Sequence, residues 1–171
     1  RLQHDGYEGH IDNKQYEEIS ETLFIQLSQE RQKYSGEYVD FITDTQNRLI
    51  TIPVGARLPF FENNAFTINE TLFSYDGNIF KEQLPKEALV KKAMLFLNSP
   101  YLWGGRTPFG IDCSGFTQMV YRLCGHHLLR DAKEQATQGE VLSFIEESEA
   151  GDLAFFDNAE GNITHVGIIM N

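Results

Sequence analysis

Gly110-Ile111-Asp112-Cys113-Ser114-Gly115-Phe116 reads as a loop running into a helix, with a cysteine at the junction. Glycines at 104, 105 and 110 supply the loop. Beyond the cysteine, Phe116, Met119, Val120, Leu123 and Cys124 fall at i, i+3, i+4, i+7 and i+8, one apolar stripe of a helix. Gly125 follows as its C-terminal cap. A thiol with an ordinary pKa of about 8.5 is mostly protonated at neutral pH. Unpaired N–H groups and the positive end of the helix dipole favour its thiolate. Small Ser114 and Gly115 leave the sulfur accessible, and the Cys113 N–H can donate to an oxyanion.

Outward from this segment, Pro85 is placed to open an earlier helix. Ala88, Leu89, Ala93, Met94 and Leu97 recur at helical spacing, and the helix should stop near Asn98, before Pro100. Downstream, 132–140 reads as helical, 152–156 and 165–170 as strands, and 157–162 as the turn between them. Cysteine chemistry needs a base. Of the five histidines, His126 and His127 follow the Cys113 helix and lie about 18 Å from its start, at roughly 1.5 Å per residue. His165, at the start of an apolar strand that can hold its ring, is the better partner. Cys124, on the apolar stripe, reads as core.

Residues 1–82 have a different character. Short apolar runs such as 49–54 and 72–75 alternate with turn residues, which suggests a small β-barrel or half-barrel. Asp76-Gly77-Asn78 is a tight-turn signal between strands. The segment 20–31 fits a helix or a strand.

Composition narrows the function. Fourteen Lys and Arg against 25 Asp and Glu give a net charge of −11 over 171 residues. Such a chain repels nucleic-acid phosphates and anionic membrane surfaces. No apolar run approaches the roughly 20 residues needed to span a bilayer. Two cysteines eleven apart match no zinc spacing, and no metal or cofactor is implied. The chain begins at Arg1 without Met or an apolar leader, as a piece of a longer or processed protein would.

Five segments in order resemble the NlpC/P60 cysteine peptidases: Tyr101-Leu102-Trp103-Gly104-Gly105, Asp112-Cys113-Ser114-Gly115-Phe116, Arg130-Asp131, Gly151-Asp152-Leu153-Ala154-Phe155-Phe156 and His165-Val166-Gly167-Ile168. The resemblance implies an α+β architecture. A papain-like catalytic domain over 83–171 would follow a bacterial SH3-like all-β barrel region over 1–82, with 5–11 as a closing strand of one such domain and 35–80 as a second. It implies hydrolysis of peptidoglycan stem peptides or muropeptides at the γ-D-glutamyl–diamino acid bond, in the bacterial envelope or periplasm, or in cytoplasmic recycling. By the same resemblance Cys113 is the nucleophile, His165 the general base, and Tyr101 directs its hydroxyl to the oxyanion region. Asp112 and Ser114 hold the substrate's free N-terminal amine, and Glu8 lends an acid to that pocket. A carboxylate beside a thiolate is itself a sign that a cation comes to neutralise it.

The sequence departs from the family pattern in three places. The residue that orients the base lies about a dozen positions past the histidine in relatives, beyond Asn171. Leu129 replaces the usual proline before Arg130-Asp131, and Ala132 stands where some relatives have a substrate-binding serine. Two other readings remain open: a wall-binding module with a relic peptidase domain, and a Cys/His amidase acting at the sugar–peptide bond.

Overall fold

The structure is a computed structural model that describes residues 2–4, 7–81 and 83–171, with side chains from residue 9 onward. Leu2–His4 (β1) and Tyr7–Gly9 (β2) pair antiparallel. The chain divides into two compact units, His10–Lys81 and a second made of Arg1–Gly9 with Glu82–Asn171. Leu2–His4 and Tyr7–Gly9 therefore group with the later unit. The expected strand over 5–11 is the second arm of a two-stranded pair, and Asp5 and Gly6 lie outside the described residues.

The unit 10–81 is not all-β. Its first element is a helix, Glu21–Gln29 (α1), started by Ser20, whose Oγ accepts the Leu23 N–H at 3.1 Å. This cap settles the ambiguous segment as helical. Tyr34–Ser35 (β3), Val39–Asp44 (β4), Leu49–Pro53 (β5), Ala65–Ile68 (β6), Thr71–Ser74 (β7) and Ile79–Phe80 (β8) follow. Four of these strands form one antiparallel sheet in the order β5-β4-β7-β6, and β3 pairs with β8. Ile42, Leu58, Phe61, Phe66 and Tyr75 make the core, with Ile52, Phe73 and Ile79 packed against them. Asp76–Asn78 does lie between two strands, but those strands do not pair. Asn78 O accepts the Gly36 N–H at 2.7 Å and the Tyr75 hydroxyl at 3.0 Å, which leads β8 away to β3.

In the second unit, Pro85 opens a turn in which its carbonyl accepts the Ala88 N–H at 2.9 Å. Ala88–Ala93 (α2) continues as a 3₁₀ turn over Met94–Phe96 and ends before Pro100. Two short strands, Arg106–Thr107 (β9) and Gly110–Ile111 (β10), pair antiparallel just before the helix Cys113–Leu123 (α3). Gly125 takes φ +79°, the left-handed value that a helix C-terminus needs. The predicted helix over 132–140 is one turn, Ala132–Gln135 (α4). It tightens into i→i+3 bonds, Thr137 N–H to Glu134 O and Gln138 N–H to Gln135 O, and stops at Gly139 with φ +75°. Leu153–Asp157 (β11) and Ile163–Ile168 (β12) form an antiparallel pair against which α3 packs. Met119, Val120, Leu123, Cys124, Leu89, Phe96 and Val166 are buried. Among the described residues no helix is long and apolar enough to cross a membrane.

Candidate active site

Asp112 is the N-cap of α3, and its extended backbone hands the chain to the helix at Cys113. Its Oδ1 accepts the Gly115 N–H at 2.6 Å. Its Oδ2 accepts the Gly104 N–H at 2.8 Å, tying the glycine loop to the same carboxylate. That cap leaves the N–H groups of Cys113 and Ser114 without an acceptor among the described residues. They are the donors that a helix N-terminus offers to an anion. Cys113 is partly exposed.

The loop can only be built from glycine. A Cβ on Gly105 would lie 2.3 Å from Gly110 O, and one on Gly115 would lie 2.3 Å from Gly105 O. Close approach of these backbones lets Gly105 O accept the Asp112 N–H at 3.2 Å. Tyr101 joins the assembly through a parallel bridge to Ile111, and Leu102 N–H donates to Ile111 O at 3.2 Å. The Tyr101 and Trp103 side chains are both exposed.

The cation that neutralises Asp112 is already in the protein. Arg130 donates from Nη2 to Asp112 Oδ2 at 2.7 Å and from Nη1 to Oδ1 at 3.2 Å, with both side chains about nine-tenths buried. Burial alone would raise the Asp112 pKa. Hydrogen bonds and charge from Arg130, with the Gly115 and Gly104 N–H groups, outweigh it and hold the carboxyl below the ordinary range. Ser114 belongs to the same cluster: its Oγ accepts from Arg130 Nη1 at 2.9 Å and donates to Asp112 Oδ1 at 3.3 Å. Sequence reasoning gave Arg130 no role of its own. The signals for it were its place in the Arg130-Asp131 segment and an unpaired acid beside the cysteine, and that acid was matched to a substrate amine instead.

The polar side of α3 is also buried. Gln135 of α4 donates from Nε2 to Ser114 O at 3.0 Å and to Leu129 O at 2.9 Å, and its Oε1 lies 2.7 Å from the Thr117 hydroxyl. These bonds fix α4 against the first turn of the cysteine's helix. Cys124 is fully buried, and that burial pushes its thiol pKa up, so it stays protonated at neutral pH.

His165 stands on β12 opposite Phe156, with the ring centroids 5.7 Å apart. The register slips there: Phe156 faces His165 while Asp157 faces Ile163, so Thr164 is an extra, bulged residue. A plain strand would point Ile163 and Thr164 to opposite faces. With the bulge, both line the cavity that Cys113 lines. Among the described residues no hydrogen bond joins the Cys113 sulfur to the His165 ring, and His165 is not among the residues that line the cavity with Cys113. The cavity measures about 750 Å³, and its walls include Tyr101, Trp103, Asp112, Cys113, Ser114 and Arg130. Glu8 has its side chain outside the described residues. No cluster of three or more potential metal ligands exists among the described residues.

A partly exposed cysteine at a helix start inside a cleft is an arrangement that suits nucleophilic thiol chemistry. Residues 98–171 match the model of the NlpC/P60 family, so this part of the chain is an NlpC/P60 domain. Over 84 residues it is 40% identical to a gamma-D-glutamyl-L-lysine dipeptidyl-peptidase of Bacillus subtilis, which covers 48% of this chain and 28% of that protein. Over 85 residues it is 44% identical to a bifunctional muramidase/DL-endopeptidase of the same organism, covering 48% of this chain and 26% of that protein. The chain thus spans less than a third of the length of these relatives. An NlpC/P60 family protein from Bacillus cereus shares the fold with a TM-score of 0.73 over 88% of this chain and 55% of its own, at 23% identity.

Proposed function

We propose that the chain is a cysteine peptidase that cleaves peptidoglycan stem peptides at the γ-D-glutamyl–diamino acid bond, acting in the bacterial cell envelope. The observation that carries this reading is Cys113 at the N-terminus of α3, partly exposed in the cleft, with helix N–H groups left open beside it. Cys113 attacks the γ-glutamyl carbonyl and forms a thioester through a tetrahedral oxyanion. His165 takes the thiol proton and returns one to the leaving amine. The Cys113 N–H and the Tyr101 hydroxyl stabilise the oxyanion. Asp112 and Ser114 hold a free substrate amine by hydrogen bonding, since Arg130 already balances the Asp112 charge. The relatives named for γ-D-glutamyl-L-lysine and DL-endopeptidase activities support this choice of bond.

Cys113→Ala assayed on L-Ala-γ-D-Glu-L-Lys tests the assignment. Turnover should fall by at least about a thousandfold, as when a covalent nucleophile is removed. Undiminished turnover refutes it.

A further inference from the structure

We infer that Lys133 takes the free α-carboxylate of a γ-linked glutamyl residue bound in the cleft. The inference rests on the peptidase reading, which places a γ-glutamyl group over Cys113. An amide made through the side-chain carboxyl of glutamate leaves the α-carboxylate ionised, a short aliphatic chain from the scissile carbonyl. A site for that group therefore needs a cation near the cysteine but not on it.

Three cationic side chains line the cavity: Arg106, Arg130 and Lys133. Arg130 is buried and fully engaged with Asp112 and Ser114. Arg106 already interacts within the protein. Lys133 is exposed and forms no ion pair among the described residues, in a chain with 25 acidic side chains to 14 basic ones. A lysine left unmatched in so acidic a protein, on the wall of the cleft, is available to an incoming carboxylate.

Its backbone is held in place. Lys133 lies in the first turn of α4, where Glu134 reaches back to the Asp131 N–H at 3.2 Å. On either side of it, Ala132 and Gln135 are buried, and Gln135 is bonded to Ser114 O, one residue from Cys113. The stem of Lys133 thus has a fixed relation to the nucleophile, while its flexible chain lets the ammonium meet the ligand.

The test is a pair of ligands and a pair of proteins. Cys113→Ala holds the tripeptide without turning it over. Binding of L-Ala-γ-D-Glu-L-Lys and of its α-carboxamide counterpart is measured by calorimetry on Cys113→Ala and on Cys113→Ala/Lys133→Met. The acid should bind Cys113→Ala about fivefold more tightly than the amide, the scale of a solvent-exposed ion pair. High salt should narrow that preference. Lys133→Met should abolish it and Lys133→Arg should keep it. Because Lys133 is exposed, the variant folds, and circular dichroism verifies this. A preference that survives Lys133→Met overturns the inference, as does equal binding of acid and amide to Cys113→Ala, or binding of neither. Turnover of the acid tripeptide by the unmutated chain is read separately. Lys133-dependent binding without turnover refutes the peptidase reading alone; turnover without a carboxylate preference refutes the Lys133 site alone.

Discussion

Replacing Asp112 with alanine removes three things together: the helix cap on Gly115 N–H, the tie to Gly104 N–H, and the partner of a buried guanidinium. A lost N-cap alone costs about 1 kcal/mol. Breaking a buried ion pair from one side costs about 3–5 kcal/mol, because the other charge stays buried and unmatched. These terms overlap, so Asp112→Ala should destabilise the unit by roughly 4 kcal/mol. Arg130→Met should cost less, since Gly104 and Gly115 still donate to the carboxylate. The double variant should be less destabilised than the sum of the two by about 2–3 kcal/mol, because it buries neither charge alone. Urea unfolding followed by far-ultraviolet circular dichroism measures all four proteins. The single tryptophan is a poor reporter, as Trp103 is 84% exposed in the folded state. Strict additivity of the two substitutions, or a cost below about 1 kcal/mol for Asp112→Ala, would refute the pairing as the element that builds the helix start.

Two further outcomes follow from the same cluster. The Asp112 pKa is depressed in the fold, so the unfolded chain takes up its proton first as pH falls. The stability that Asp112 contributes is complete above the ordinary carboxyl pKa of about 3.9 and is lost as pH drops through its lower folded value. The urea midpoint should therefore fall steeply below about pH 4 and more gently in Asp112→Asn, and identical acid limbs would contradict this. Gly115→Ala, which elsewhere in a helix would gain about 1 kcal/mol, should instead lose roughly 1–3 kcal/mol. Its Cβ would stand 2.3 Å from Gly105 O and 2.9 Å from Asp112 Oδ1. A melting temperature at or above that of the unmutated chain would count against the packing described.

Periodicity located the elements whose apolar faces are regular. The stripe from Phe116 to Cys124 marks α3, and the apolar runs near Leu153 and Val166 mark β11 and β12. It failed where polar contacts decide. The helix expected over 132–140 lasts one turn, because i→i+3 bonds and a left-handed Gly139 end it, and neither shows in hydrophobic spacing. In the segment of α1, Leu23, Phe24 and Leu27 fit a helical face but left a strand equally open, and the serine cap decides it for a helix that has no buried residue. Thr117 and Gln118 lie off the apolar stripe of α3, yet both are buried, with Thr117 paired to Gln135 and Gln118 donating to Leu128 O at 2.9 Å. The bulge that turns Ile163 and Thr164 to one cavity comes from strand register, which a single strand's sequence does not encode.

The electrostatic balance at the helix start explains why an acid can precede the nucleophile at all. A lone carboxylate next to Cys113 would repel a developing thiolate. Here Arg130 sits on that carboxylate with two hydrogen bonds, so the pair is close to neutral as seen from the sulfur. What the sulfur then meets is the partial positive charge of the helix end and the N–H groups of residues 113 and 114, which have no acceptor among the described residues. Asp112 can thus cap α3 without opposing the chemistry that α3 promotes. The division of labour also constrains the substrate. Arg130, locked on Asp112 and Ser114, is not free to bind an anion, and any carboxylate entering the cleft must find another cation. Among the described residues, Lys133 is the cation on the cleft wall with no ion pair of its own.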